Sequence, residues 1–474
     1  MDPFIITIDG AEATVTPGQS VLAVARSLGL DIPSLCYLEK CGPLNSCQAC
    51  LVKINGRLVP SCGTLATPGM VVESETEEIH EARRTALELL FSDHVGDCLS
   101  PCNRLCPLGL NIPVMLRQIQ GGKMEEASAG MRGVLPLAGV LGRLCHHPCE
   151  QGCRRGHWDD PAGIRDLERF VADWEMHRAN AIAGSPAGQG RESTLPVTHC
   201  KPGSGKTVAV IGAGPAGLAA AWQLARYGHT VTVVDRQDQP GGSLRALPES
   251  ELPAAVLDFE MRVLAHMGIV FKQGVELGNH VTIEGLARGF DAILLSTGRP
   301  HQNDSQPEAP LSGGYIKTDP NTSRTPLAKV FAAGAAAKAV PQLVRAMGDG
   351  RAAAECIHRF VLGQAARRPE KPFSSVMGRL SPGELKQFLA LSNQAKSVSP
   401  CDRCTGLSRP QATSEAARCL HCDCASSGNC VLQHYAQRYD ADASRFRPQR
   451  RSFEQHLQPG GVIFEPGKCI LCGI

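Results

Sequence analysis

Two things are scarce in this 474-residue chain: net charge and long apolar runs. Its 48 basic and 46 acidic residues leave a formal charge of only +2. A balance so close to neutral argues against nucleic acid as the main partner. The longest apolar stretches run to about ten residues, too short for a helix to cross a bilayer, so no direct membrane insertion is expected. Met1-Asp2-Pro3-Phe4 carries neither a basic n-region nor an apolar h-region. No signal peptide is therefore read, and a cytoplasmic location is expected.

Cysteine is the opposite case. There are 21, and all but Cys200 and Cys356 fall into clusters. Secreted disulfide scaffolds are normally much shorter chains, and cysteines two or three residues apart have the spacing of metal or cluster ligands. With 43% hydrophobic residues the chain has the composition of ordinary globular domains, and its length suits about three or four of them.

The pattern along the chain predicts a multidomain α/β protein with segments at 1–78, 79–182, 183–204, 205–365, 366–399 and 400–474. Residues 4–16 alternate and turn at Asp9-Gly10, the signature of a β-hairpin, and 19–29 read as a helix. Residues 79–182 read as helical, broken by cysteine loops. The stretch 183–204 is rich in Gly, Pro and Ser and reads as a linker. A βαβ pattern opens at Lys206, 366–399 is a polar connector, and 400–474 is a cysteine-rich tail.

Cys36, Cys47, Cys50 and Cys62 have the spacing C-x10-C-x2-C-x11-C. Four thiolates from a loop and a neighbouring strand suit a [2Fe–2S] cluster, with Cys41 left over. The spacing resembles the [2Fe–2S] domain of the complex I large iron–sulfur subunit and of iron hydrogenases, which implies a β-grasp, ferredoxin-like domain over 1–78.

His94, Cys98, Cys102 and Cys106-Pro107 follow, then Cys145, Cys149 and Cys153. These phrases resemble the N-terminal helical domain of the glutamate synthase small subunit and of dihydropyrimidine dehydrogenase, which implies two [4Fe–4S] clusters. The first segment departs from that family by carrying three cysteines where the family has four. His94, four residues before Cys98 as at the start of a complex I cluster, and Glu168, near the family's side-chain oxygen ligand, are the candidates to make up the shortfall. His146 and His147 read as solvated or hydrogen-bonded neighbours.

Thr207–Ile211 reads as a buried strand, followed by Gly212-Ala213-Gly214-Pro215-Ala216-Gly217, a helix, and a second strand ending in Asp235. Glycine at the three positions permits a tight turn, close backbone approach to a pyrophosphate and close helix–strand packing, and Asp235 is placed for a ribose hydroxyl. Gly205-Lys206-Thr207 mimics a P-loop ending but precedes the strand instead of following one, and the required first glycine is Cys200. Gly241, Gly242, Leu244 and Arg245, then Thr297-Gly298, then Gly334 and the run Gly350-Arg351-Ala352-Ala353 resemble successive FAD-binding segments of the glutamate synthase small subunit. That resemblance implies a Rossmann-like FAD-binding domain. Two departures matter. Ala335 stands where the family has an aspartate. Only a short loop separates Gly298 from Gly313, where the family inserts a nicotinamide-binding domain, and no second GxGxxG occurs.

In the tail, Cys419, Cys422, Cys424 and Cys430 suit one more [4Fe–4S] cluster. Cys430–Ala436 and Lys468-Cys469-Ile470 resemble the complex I large iron–sulfur subunit, giving a C-terminal iron–sulfur segment. Cys401 and Cys404 with Cys469 and Cys472 could hold zinc or a cluster; otherwise the tail is disordered or a partner completes it. Arg445, Arg447, Arg450 and Arg451 form a basic run, either a solvated face or a dock for an acidic carrier. The expected cofactors are thus FAD, one [2Fe–2S] cluster, two or more [4Fe–4S] clusters and zinc at the tail. The expected partners are redox subunits of hydrogenase, formate dehydrogenase or NADH-oxidising type, or a soluble electron carrier. A self-contained NAD(P)H-dependent reductase is the competing reading.

Overall fold

The computed structural model describes residues 2–183, 195–196, 198–300, 309–400, 405–425, 428–446 and 451–469. Most of the expected linker, the tail cysteines Cys401, Cys404 and Cys472, and Arg447 and Arg450 lie outside these residues. The chain divides into two compact units: 1–100 with 371–391 and 421–474, and 101–370 with 392–420. The expected connector 366–399 is therefore shared between them, and the tail is divided between Leu420 and His421.

The first unit is built on a five-stranded mixed sheet in the order β2-β1-β5-β3-β4, where β1 is Phe4–Ile8, β2 Ala11–Val15, β3 Leu51–Ile54, β4 Arg57–Pro60 and β5 Val71–Glu73. Asp9 and Gly10 both take positive φ, +49° and +84°. That is the two-residue turn whose twist matches a β1–β2 hairpin. The alternating pattern then turns Ile6, Ile8, Ala13 and Val15 to one face, onto the buried residues of helix α1 (Val21–Ser27). Ser20 caps α1, its Oγ accepting from the Ala23 amide. Helix α2 (Glu77–Asp93) starts on the Thr76 cap with Glu77 and Glu78 in its first turn, where acidic side chains suit the helix dipole. Arg83 of α2 is fully buried; it donates to the Leu51 carbonyl (2.9 Å) and to the Tyr439 hydroxyl (2.8 Å). Helix Val431–Arg438 packs Leu432, Tyr435 and Ala436 against Leu87 and Phe91 of α2. Both ends of the chain thus build this unit.

The second unit joins a helical half to a parallel sheet. Helices α3 (Pro101–Leu105), α4 (Ile112–Gln120), α5 (Met124–Arg132), α6 (Ala138–Leu144), α7 (Pro148–Gln151) and α8 (Ile164–Ala183) precede strands β6 (Thr207–Ile211), β7 (Thr230–Val234), β8 (Val270–Lys272), β9 (Ala292–Leu295) and β10 (Val330–Ala332). The order β8-β7-β6-β9-β10 is parallel throughout. Near-continuous apolar strands of this kind need cover on both faces. Helices α9 (Pro215–Arg226), α10 (Ala254–His266) and α11 (Ile283–Gly289) connect the first four strands in turn, and α12 (Leu343–Val361) follows β10. One core contains Leu116, Met131, Leu141 and Leu167 of the helical half and Leu218, Trp222, Leu257 and Met347 of the sheet half. Arg132 is buried at the same junction. It donates to Glu175 on α8 (2.6 Å) and to Glu260 on α10, whose Oε1 also accepts from the Gly139 amide at 2.6 Å. No helix among the described residues is long and apolar enough to cross a membrane.

Candidate functional site

In the first unit, Cys36, Cys47, Cys50 and Cys62 are all buried. The Cys47 amide points at Cys36 Sγ (3.4 Å), and the Cys62 thiol meets Asn45 Oδ1 (3.2 Å). Burial, followed by the neighbouring Cys50, Cys36 and Cys47, pushes the Cys62 thiol up to about 12. Thiolates packed so closely disfavour one another unless iron balances their charge. The loop carrying them is held with Asn45 and Gln48 both at φ +54°, a costly backbone for side-chain residues that an ordered loop must overcome. Cys41, by contrast, is exposed. Replacing Cys47 and Cys50 together by alanine should abolish a [2Fe–2S] EPR signal of the reduced chain; a surviving signal reassigns the ligands.

In the second unit, α3, α6, α7 and α8 bring Cys106, Cys145, Cys149 and Glu168 around one cavity, closed by Pro107, Leu135, Leu141, Pro148 and Val344. Short helices fix the cysteines. Cys145 caps the end of α6, and Cys149 lies in α7 behind His147, which is held at φ +40°. The His147 amide donates toward Cys145 Sγ (3.4 Å) and its ring meets the Cys145 carbonyl (3.2 Å). Burial, then the charge of Glu150, raises the Glu168 carboxyl to about 8. Burial, then Glu168, raises Cys145 to about 12, and the same two causes raise Cys106 and Cys149. Three thiols and a carboxyl in a largely apolar hollow are a donor set that fits an iron–sulfur cube. Cys102 belongs to the same core, with Cys153 and Cys419 at its margin. The carbonyl of Arg418 accepts from Arg155 (3.3 Å), and Arg418 binds Asp159 and the Asp160 carbonyl, which ties Cys419 to the turn after Cys153.

Cys98, Cys422, Cys424 and Cys430 belong to the first unit with His94. Cys469 is exposed. Among the described residues no group of three His, Cys, Asp or Glu side chains closes tightly enough for a single metal ion, and no disulfide joins the cysteines.

The dinucleotide cradle lies at the carboxyl end of β6. Gly212, at φ +105°, has no room for a Cβ, which would fall 2.5 Å from the Ser296 carbonyl oxygen. Gly217 has none either, at 2.0 Å from the Gly212 oxygen. Gly214 differs: φ −79° and ψ 179° suit any residue, and a Cβ there meets nothing within 4 Å. Glycine at 214 is needed only if something approaches the backbone. That place is the amino end of the twelve-residue α9, whose Gly214 cap offers no side-chain acceptor, with Pro215 and Ala216 opening the helix. Unpaired amides and the helix dipole favour a phosphate there. Asp235, at the end of β7, accepts from the amides of Ala213 (2.5 Å) and Gln237 (2.8 Å), bracing the glycine loop. Gly241, at φ +134°, hydrogen-bonds the Ala213 carbonyl, Gly242 has φ +54°, and Leu244 is buried. Arg245 is engaged with the Pro240 carbonyl (2.9 Å) and Asp258 (2.6 Å). Thr297-Gly298 follow β9, and Gly334 follows β10, its would-be Cβ 2.6 Å from that of Ala216.

One residue here, Asp349, escaped the sequence reading, and so did the contacts of Arg351, which that reading placed only within a segment resembling an FAD-binding one. Asp349 of α12 is buried and accepts from the Gly334 amide (2.7 Å), Lys338 (2.6 Å) and Arg368 (2.8 Å). An acid thus reaches Gly334 from α12 although Ala335 is not one. Arg351, two residues on, donates to the carbonyls of Leu108 (2.8 Å) and Val134 (3.0 Å) in the helical half. The signal for both was the Asp-Gly-Arg run beside Gly350.

Comparison with known proteins agrees with this geometry. Residues 2–77 match a 2Fe-2S iron-sulfur cluster binding domain, 72–180 the dihydropyrimidine dehydrogenase domain II with a 4Fe-4S cluster, and 210–270 an NAD(P)-binding Rossmann-like domain. The chain is therefore an iron–sulfur protein of multidomain α/β architecture with a dinucleotide-binding domain. Curated proteins similar to it include the following three. Over 212 residues it is 43% identical to the NADP(+)-dependent formate dehydrogenase subunit beta of Moorella thermoacetica, covering 42% of this chain and 29% of that one. Over 204 residues it is 36% identical to the small chain of a Mycobacterium tuberculosis NADPH glutamate synthase (43% and 39%). Over 220 residues it is 34% identical to the NAD-dependent dihydropyrimidine dehydrogenase subunit PreT of Salmonella typhimurium (44% and 49%). In each case the match spans less than half of the relative's length.

Proposed function

We propose that this chain is an FAD-dependent iron–sulfur electron-transfer subunit that passes electrons between its clusters, a flavin and a partner redox protein. The observation that carries the reading is helix α12. Val344 lines the cavity of Cys106, Cys145, Cys149 and Glu168, while Asp349 holds the Gly334 amide and Gly350 packs on the Ala216 backbone of the cradle. Val344 and Asp349 are about 8 Å apart along a helix rising 1.5 Å per residue. Bound FAD would exchange electrons singly or in pairs, and iron–sulfur clusters exchange them singly. The protein's part is to fix the two sites on one rigid element, exclude water with the apolar cavity wall, and supply amides and cations around the phosphates and the Gly334 turn. In this reading residues 1–78 are a β-grasp ferredoxin domain and the helices of 79–182 a [4Fe–4S] domain. The partner is a subunit of formate dehydrogenase, hydrogenase or NADH-oxidising type, or a soluble carrier.

The test is anaerobic stopped-flow absorbance at the oxidised-flavin band. NADH or NADPH alone should bleach it slowly or not at all, because orienting a nicotinamide against a flavin requires a dedicated site. The sequence between Gly298 and Gly313 is too short to supply one. Dithionite should bleach it fully. Rapid bleaching by either nucleotide overturns the subunit reading in favour of a self-contained reductase, which the NAD(P)-binding description of the domain model over 210–270 also favours.

A further inference from the structure

We propose that His94, Cys98, Cys424 and Cys430 hold a [4Fe–4S] cluster of their own, assembled within the first unit from two segments far apart in sequence. The reading rests on the iron–sulfur character argued above, but its ligand set cuts across both cysteine groups that spacing suggests. Cys98 is separated from Cys102 and Cys106 by the boundary at Ser100, and Cys430 from Cys419 by the boundary at Leu420.

Cys98, Cys424 and Cys430 meet directly, and packing around α2 places His94 and Cys430 on one patch. The Cys424 amide donates to the Cys98 carbonyl (3.4 Å). Cys98 is close enough to Cys430 and Cys424 to feel the charge of both. Cys430 caps helix Val431–Arg438, its Sγ accepting from the Gln433 amide (3.4 Å). That helix is clamped on α2 through Leu432, Leu87 and Phe91. His94 ends α2, is 8% exposed, and sets its ring edge-to-face on Phe91 at 5.6 Å. One apolar patch therefore positions the helix end that delivers His94 and the helix start that delivers Cys430.

The surroundings suit thiolates. Ser375, fully buried, places its Oγ 3.5 Å from Cys98 Sγ and 2.6 Å from the Gly96 carbonyl, so its single proton can turn to the sulfur once that is a thiolate. A hydroxyl and amides around sulfur stabilise a ligating thiolate and tune the potential of its cluster. Three thiolates and an imidazole complete the coordination of a cube. This partition leaves Cys419 to the second unit, where the Arg155–Arg418 network fixes it beside the Cys153 turn.

The experiment compares the anaerobically reconstituted full chain with Cys98→Ala, Cys430→Ala, the double variant and Cys419→Ala, by iron content and by EPR of the reduced protein. Cys98→Ala, Cys430→Ala and their combination should each lose the same EPR component and the same iron, about four atoms per chain. FAD content and the [2Fe–2S] signal should be unchanged. Cys419→Ala should keep that component and lose a different one. The proposal is overturned if Cys98→Ala and Cys430→Ala remove different components, if the double loses twice the iron of either single, or if Cys419→Ala removes the same component as Cys430→Ala. Loss of flavin in Cys419→Ala but not Cys98→Ala would bear on the function proposed above and not on this partition. His94→Cys covers the case in which the alanine variants fail to fold. It should retain the iron while lowering the potential of that one component, because thiolate replaces imidazole. Retained iron at an unchanged potential removes His94 from the set.

Discussion

A Gly214→Val chain should fold and lose nearly all of its FAD. The two halves of that expectation come from one geometry. At φ −79° and ψ 179° valine is unstrained, and a Cβ at 214 meets no atom of the protein. The apo chain should therefore be destabilised by no more than about 1 kcal/mol, the scale of a changed helix cap. A phosphate at the start of α9 would, however, meet two methyl groups where it needs bare amides. Losing two or three hydrogen bonds at about 1 kcal/mol each weakens binding roughly a hundredfold. The flavin-to-protein absorbance ratio after gel filtration and a circular-dichroism melt measure the two halves separately. Gly217→Val is the contrasting control: its Cβ begins 2.0 Å from the Gly212 oxygen, so it should fail to fold rather than fold empty. Full flavin content in a folded Gly214→Val protein would sink the cradle assignment.

Arg132→Met should be the most damaging single change to stability outside the cofactor sites. Arg132, Glu175 and Glu260 are all buried, and the guanidinium is the group the two carboxylates share. The neighbouring carboxylates outweigh the cost of burial and hold Arg132 firmly charged. Methionine fills much of the same volume but leaves two acids facing each other without a cation. Removing one partner of a buried ion pair costs about 3–5 kcal/mol, mostly the penalty of the charge left behind. Adding Glu260→Gln removes one of those charges while its amide oxygen can still accept from Gly139. The double variant should therefore recover about 1–2 kcal/mol over Arg132→Met alone, a coupling that independent sites would not show. Urea denaturation followed by flavin fluorescence reports on this unit specifically. A loss under about 1 kcal/mol for Arg132→Met would mean that the apolar junction, not the ion network, holds α5, α8 and α10 together.

Features that depend on neighbours in sequence were legible in the chain. The Asp9-Gly10 pair fixes a hairpin because both residues tolerate positive φ, and the strand–glycine loop–helix run from Thr207 states its own fold. The resemblance to the glutamate synthase small subunit also pointed to Glu168, which the structure brings into the cavity with Cys106, Cys145 and Cys149. What spacing cannot carry is a meeting between distant segments. Cys419 and Cys430 are close in sequence, yet one packs on the core of the second unit and the other on α2. The decision is made by apolar contacts such as Leu432 on Phe91 and by Arg418 on Asp159, none of which leaves a local pattern. Asp349 and the partners of Arg351 were hidden for a related reason: each side chain acts on a backbone group contributed by another part of the chain.

The interleaving of the two units has a consequence for how the protein is made. The ribosome releases residues in order, so β1 to β5 and α2 emerge ahead of the second unit, and its parallel sheet can close before residue 421 has been synthesised. Until helix Val431–Arg438 arrives, Leu87 and Phe91 lack part of their cover, and Arg83 lacks the hydroxyl of Tyr439. A segment made early is thus finished by one made more than three hundred residues later. A nascent chain stalled before residue 421 should expose that apolar patch to chaperones, and on the partition proposed above iron would enter at Cys98 only after residue 430 has been made.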